Sequence, residues 1–129
     1  MTERISDKDW RLLIFLADDY SALCNIPFEY FQELLPGINF GDEIPVAIRK
    51  KAVKSMTEIY KRLYHAGLID VFILDELREH PKKLSKTEAL NELQNEANYD
   101  YEHINWPMVT VVLSDLGSEL LNQGRPPLL

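Results

Sequence analysis

The sequence predicts a mainly α fold completed by a small β-hairpin, an α+β chain. Three observations lead there. Val46 to Leu74 reads as one long amphipathic helix, a glycine stop and a strand. Met108 to Leu113 (MVTVVL) is a second β-branched run that suits a strand. The segments before Val46 repeat their apolar residues at helical spacing.

In chain order, Ser6 is placed to cap a first helix, with Asp9 as an acidic capping-box partner three residues on. Trp10, Leu13, Ile14, Ala17 and Tyr20 follow at helical spacing, so the helix is expected over roughly Asp7 to Leu23. Asn25-Ile26-Pro27 breaks it. Pro27 suits the first turn of a second helix, PFEYFQELL, with Phe28, Phe31 and Leu35 expected inward. Pro36-Gly37 ends that helix, and Phe40 is expected to plug the core from the following turn.

The third helix begins after Pro45. At about 100° per residue, Val53, Met56, Tyr60 and Leu63 share one arc, with Ala52 and Ile59 beside them; this is the expected core face. Lys50, Lys54, Thr57 and Lys61 share another face. Gly67 fits the left-handed position just past a helix end, where a side chain is costly. Leu68 to Leu74 then reads as a strand. Beyond it, Ser85-Lys86-Thr87-Glu88 is a capping box, opening a helix from about Lys86 to Asn98 with Leu90, Leu93 and Ala97 as its stripe. Ser114 caps a last short helix, DLGSELLN, and 123–129 is a proline-containing tail. One domain over 1–122 is expected, with an insertion at about 75–107 between the two strands.

A three-helix unit followed by two antiparallel strands is the arrangement of a winged helix-turn-helix. The segment SMTEIYKRLYHAGLID resembles the second half of a winged-helix recognition element, with its helix, glycine and Leu-Ile entry to the wing. TVVLSDLGSELL resembles the closing segment of many such regulators, with Leu113, Ser114, Gly117, Leu120 and Leu121 at its pattern positions. The resemblance covers about Asp7 to Asn122 and is shared by MarR-like, PadR-like and other winged-helix groups. It implies a small transcriptional regulator that reads double-stranded DNA with its third helix. A homodimer is open on the same ground, although no long terminal helix of the kind that joins such dimers is visible. The stretch between the strands is far longer than a simple wing and carries eight acids against four bases.

Charge divides the chain. The formal net charge is −7, yet Val46 to Leu68 holds six basic residues and one acid, leaving eight basic and twenty acidic residues elsewhere. The basic helix motivates a DNA-binding set of Arg49, Lys50, Lys51, Lys54, Thr57 and Lys61. Lysine meets phosphates as a point charge and threonine meets a base edge or a thymine methyl. The ordinary alternative is a solvated helix face. Arg78, Lys82, Lys83 and Lys86 suggest a wing tracking phosphates, or a charged solvent loop, since acids interleave with them. The acidic remainder motivates a second functional reading: a protein–protein module, such as a DNA-mimic inhibitor or an adaptor of a nucleic-acid-binding machine. It would dock a basic partner through Glu92, Glu96, Tyr99, Tyr101 and Trp106, because tyrosine and tryptophan anchor interfaces. Against it stands a solvated helix back with the rings in the core.

Other classes find little in the sequence. His65, His80 and His103 are scattered, and Glu76 with His80 provides two ligands of an incomplete metal set. Cys24 has no neighbouring motif that would activate it and reads as a small buried residue. The five glycines sit at turns or caps, and none forms a phosphate loop. No enzyme activity, metal or cofactor is expected. A single cysteine allows no internal disulfide and fits a reducing cytoplasm. The opening MTERISDKDW lacks the apolar core of a signal peptide. The longest apolar run, Leu12 to Ala17, is far short of the roughly 18 residues a membrane span needs, so no membrane partner is expected.

Overall fold

The computed structural model describes residues 7–17, 21–23, 26–74, 81–99 and 108–124. Ser6, Tyr20, Cys24, Asp75 to His80, Asp100 to Pro107 and the tail from Arg125 lie outside them. In order the elements are α1 (Asp7–Ala17), β1 (Ser21–Ala22), α2 (Phe28–Leu34), α3 (Val46–His65), β2 (Ile69–Leu74), β3 (Lys82–Lys83), α4 (Lys86–Gln94), a 3-10 turn (Glu96–Tyr99), β4 (Met108–Leu113) and α5 (Asp115–Gln123). The fold is α+β: mainly helical, with a small antiparallel sheet in the order β1-β4-β2-β3.

The centre is α3. Ala52, Val53, Met56, Ile59, Tyr60 and Leu63 are all buried, as the arc of apolar residues predicts. Gly67, at φ +77°, turns the chain from α3 into β2. β2 pairs with β4 along its whole length, from Ile69↔Leu113 to Leu74↔Met108. Both strands put β-branched residues inward, Val71 and Val111 among the most buried. Ser114 caps α5 as expected, accepting from the Gly117 amide at 3.0 Å.

The first helix departs from expectation twice. Ser21 and Ala22 are strand rather than helix, and pair with Val111 and Thr110 on the outer edge of β4. The Leu23 amide continues the pairing to the Val109 carbonyl at 3.1 Å. An exposed edge is a row of unsatisfied donors and acceptors, and this short strand covers part of it. The buried face of α1 is also rotated. Asp9, Leu12, Leu13 and Leu16 are buried and Trp10 packs against the core at its margin, whereas Ile14, expected inside, is 52% exposed. A run of six apolar residues leaves the helix phase open, and a polar residue closes the choice. Asp9 accepts two hydrogen bonds from Arg62 of α3, at 2.8 and 3.2 Å, which turns its side of α1 inward. The same hydrogen bonding holds the Arg62 guanidinium above its usual pKa range.

In α2, Phe31 is buried as expected and Tyr30 joins it, while Phe28 and Leu35 are only partly covered. Phe40 does not plug the core. It is 87% exposed, its ring set edge-on to Phe28 at 5.6 Å. The turn carrying it is closed on itself by Asn39 and Asp42, with the Asn39 amide donating to the Asp42 carboxylate at 2.8 Å, so Phe40 points outward.

The described part of the insertion is built rather than looped. β3 adds to the free edge of β2, with Phe72↔Lys83 and Ile73↔Lys82. Leu84 then enters the core, 5% exposed. The capping box at Ser85 and Glu88 forms reciprocally and starts α4, which packs on α3. The expected helix to Asn98 stops early. Asn95 leaves helical geometry and its side chain takes the Ala97 amide, while the Asn98 side-chain amide donates back to the Glu92 carbonyl and carboxylate. These amide side chains compete with helix hydrogen bonds and convert the last turn to 3-10. The stripe shifts with it: Ala89 and Leu93 are buried, Leu90 is half-buried and Ala97 exposed.

Candidate functional site

α3 carries its basic residues on the side away from the core. Lys50, Lys51 and Lys54 are exposed and Lys61 is partly so. Among the described residues none of these four is in an ion pair within 4.0 Å. The stripe of Lys50, Lys54 and Lys61 is therefore a run of free charge along one helix face. Thr57, on the same stripe, is partly exposed like Lys61. Its hydroxyl donates to the Val53 carbonyl at 2.9 Å and meets the Tyr99 phenol, so its proton is committed within the fold. Arg49, half-buried beside the stripe, lines a cleft at the start of α3 together with Lys50.

Of the residues expected to anchor a partner, Tyr99 is fully buried and belongs to the core. Its hydroxyl donates to the Leu93 carbonyl at 2.7 Å, and burial raises its pKa to about 12. A ring so placed cannot meet a partner, and its docking role is withdrawn. Glu92 is half-buried and engaged by Asn98. Glu96 is exposed and borders the cleft. Tyr101 and Trp106 lie outside the described residues. The basic residues of the insertion are spent partly on neighbours: Lys83 meets Asp70 at 3.6 Å and Lys82 meets Glu88 at 4.0 Å. Lys86 is exposed, and Arg78 lies outside the described residues.

Burial raises Tyr30 as well, to about 12, and the nearby Glu29 adds to the shift. The two phenols make an alkaline signature. Up to pH 10 both the folded and unfolded chains keep their phenols protonated. Between about 10 and 12 the unfolded chain releases those protons first, so stability falls across that window and not below it. The expected loss is on the order of 2–3 kcal/mol per tyrosine. Tyr99→Phe should lower stability at neutral pH by about 1 kcal/mol, for the lost hydrogen bond. It should also halve the alkaline slope, as read by urea midpoints across a pH series.

The cleft was not legible from the sequence. It measures about 550 Å³ and has three walls: Asp42, Glu43 and Ile44 from the loop before α3, Val46, Arg49, Lys50 and Val53 from α3, and Glu96 and Tyr99 from the 3-10 turn. Only the assembly of α4 against α3 brings the third wall to the other two. No group of three or more His, Cys, Asp or Glu side chains suited to a metal occurs among the described residues. No described helix is long and apolar enough to cross a membrane. No family model, curated protein or solved structure matches the chain.

Proposed function

We propose that the chain is a winged-helix protein that binds duplex DNA through the lysine face of α3. The order α1, β1, α2, α3, β2 and, after the inserted β3, α4 and 3-10 turn, β4 supports the winged-helix reading, with β1 closing on β4. The observation that carries the DNA reading is the free charge of Lys50, Lys54 and Lys61 on one exposed face, unpaired with acids of the described insertion. With the Thr57 hydroxyl donating to the Val53 carbonyl, that face offers phosphate contacts and no good base reader. The binding it supports is positioned along the backbone and weakly selective for sequence. The net charge of −7 opposes it at long range, so low salt is where it is measured.

The test is a salt series by fluorescence anisotropy on random duplex DNA. Each neutralised phosphate contributes a slope of about −0.9 to log affinity against log salt. Replacing Lys50, Lys54 and Lys61 together by alanine should flatten the slope by up to roughly 2.7, at one contact per lysine. Thr57→Ala should leave sequence preference unchanged. Equal slopes for wild type and triple variant, or no wild-type binding at low salt, would overturn the reading in favour of an acidic protein–protein module.

A further inference from the structure

We propose that the cleft at the start of α3 binds a small zwitterion with an apolar body, of the size of a free amino acid or a dipeptide. The walls carry opposite charges. Arg49 and Lys50 stand on α3, and Asp42, Glu43 and Glu96 stand on the two elements flanking it. Among the described residues none of these five is in an ion pair within 4.0 Å. Asp42 is held by the Asn39 amide, so among the described residues Glu43 and Glu96 are the acids left without a partner on the walls flanking Arg49 and Lys50. Between them lie the apolar side chains of Ile44 and Val46, with Val53 and Tyr99 behind them. Val53 and Tyr99 are 8% and 0% exposed, so the backing of the cleft is fixed in the core.

Each kind of lining selects against one kind of ligand. A simple anion meets three carboxylates, a simple cation meets two bases, and a neutral apolar molecule leaves both sets unmatched. A molecule carrying a carboxylate and an ammonium on an apolar frame satisfies both signs at once, its carboxylate toward α3 and its ammonium toward Glu96 and the loop acids. The volume of about 550 Å³ lies within the range of small-molecule sites. The bidentate fork of Arg49 suits a carboxylate in particular.

The site shares Lys50 with the proposed DNA face, but it is tested without DNA, so the two readings stand or fall separately. The experiment is an amide-resolved NMR titration of the full chain with L-leucine and leucyl-leucine, beside N-acetyl-leucine, which lacks the ammonium, and leucinamide, which lacks the carboxylate. At least one zwitterion should give saturable shifts at Arg49, Lys50, Glu96 and Tyr99. Whichever of the two zwitterions binds more tightly sets the size of the ligand. The two blocked compounds should bind at least tenfold more weakly. Glu96→Gln should weaken the zwitterion and leave N-acetyl-leucine unchanged, and Arg49→Met should weaken the zwitterion and leave leucinamide unchanged. Glu43→Gln and Lys50→Met repeat the two tests at exposed positions should either variant melt early. No saturable shift with either zwitterion, equal response to all four compounds, or shifts centred elsewhere would overturn the proposal.

Discussion

Met56→Asp is expected to abolish cooperative folding. Met56 is fully buried on the core face of α3, in one cluster with Leu12, Leu16, Tyr60, Val71 and Val111. A carboxylate there would sit away from water among apolar side chains. Leaving such a group unpaired costs on the order of 5 kcal/mol even after it takes up a proton. That equals the whole stability of many domains, which runs from about 5 to 15 kcal/mol. Circular dichroism during heating should show a broad, early or absent transition. Lys54→Asp, on the exposed face of the same helix, should move the midpoint by no more than about 0.5 kcal/mol. Similar melting curves for the two variants would show that α3 has been assigned the wrong face.

The contrast between α1 and α3 shows what sequence makes legible. In α3, charged residues alternate with apolar ones, so only one rotation buries the apolar arc and wets the lysines. In α1 the run LLIFLA offers several equivalent rotations, and the selected one depends on Arg62, more than fifty positions away. Local periodicity carries no record of that partner. The same holds for Ser21 and Ala22, whose strand state is dictated by the open edge of β4. It holds again for Leu84, which reads as an isolated apolar residue in a charged stretch and is buried once β3 adds to β2. Caps fared better because their chemistry is local: Ser85 with Glu88, Ser114 with Gly117 and Gly67 past α3 all sit where the sequence puts them.

For the candidate site the division is similar. Free lysines on one face follow from spacing within a single helix. The withdrawal of Tyr99 from the surface does not, because it depends on the packing of its element against α3. A signal was present in part: Asn95 and Asn98 on either side of Glu96 interrupt a helical pattern with side chains that favour turns, and the chain bends there to bring Tyr99 over α3. The exposed ring of Phe40 had no local signal. Its flanking glycines indicate a turn without telling which way the turn faces.

Gly117→Ala should destabilise the protein by about 2–3 kcal/mol, and the sign makes the test sharp. In an ordinary helix that exchange gains up to about 1 kcal/mol, because alanine loses less backbone freedom than glycine. Here α5 crosses the backbone at the exit of α3. The Ser114 amide donates to the Leu68 carbonyl at 3.0 Å and the Ser114 hydroxyl to the Gly67 carbonyl at 2.6 Å, tying the start of α5 to that turn. A β-carbon on Gly117 would collide with the Leu68 carbonyl oxygen, and would lie 3.1 Å from its carbon. These are backbone atoms at the entry to β2, and no side-chain rotation relieves the overlap. Either α5 tilts away, breaking the two Ser114 bonds, or β2 shifts against β4. The melting temperature should fall by roughly 10 °C, with Ser118→Ala on the exposed side of α5 as the control that shows the helix gain alone. A melting temperature raised by Gly117→Ala would mean that α5 does not approach Leu68, and that the glycine of this segment is a helix residue like any other.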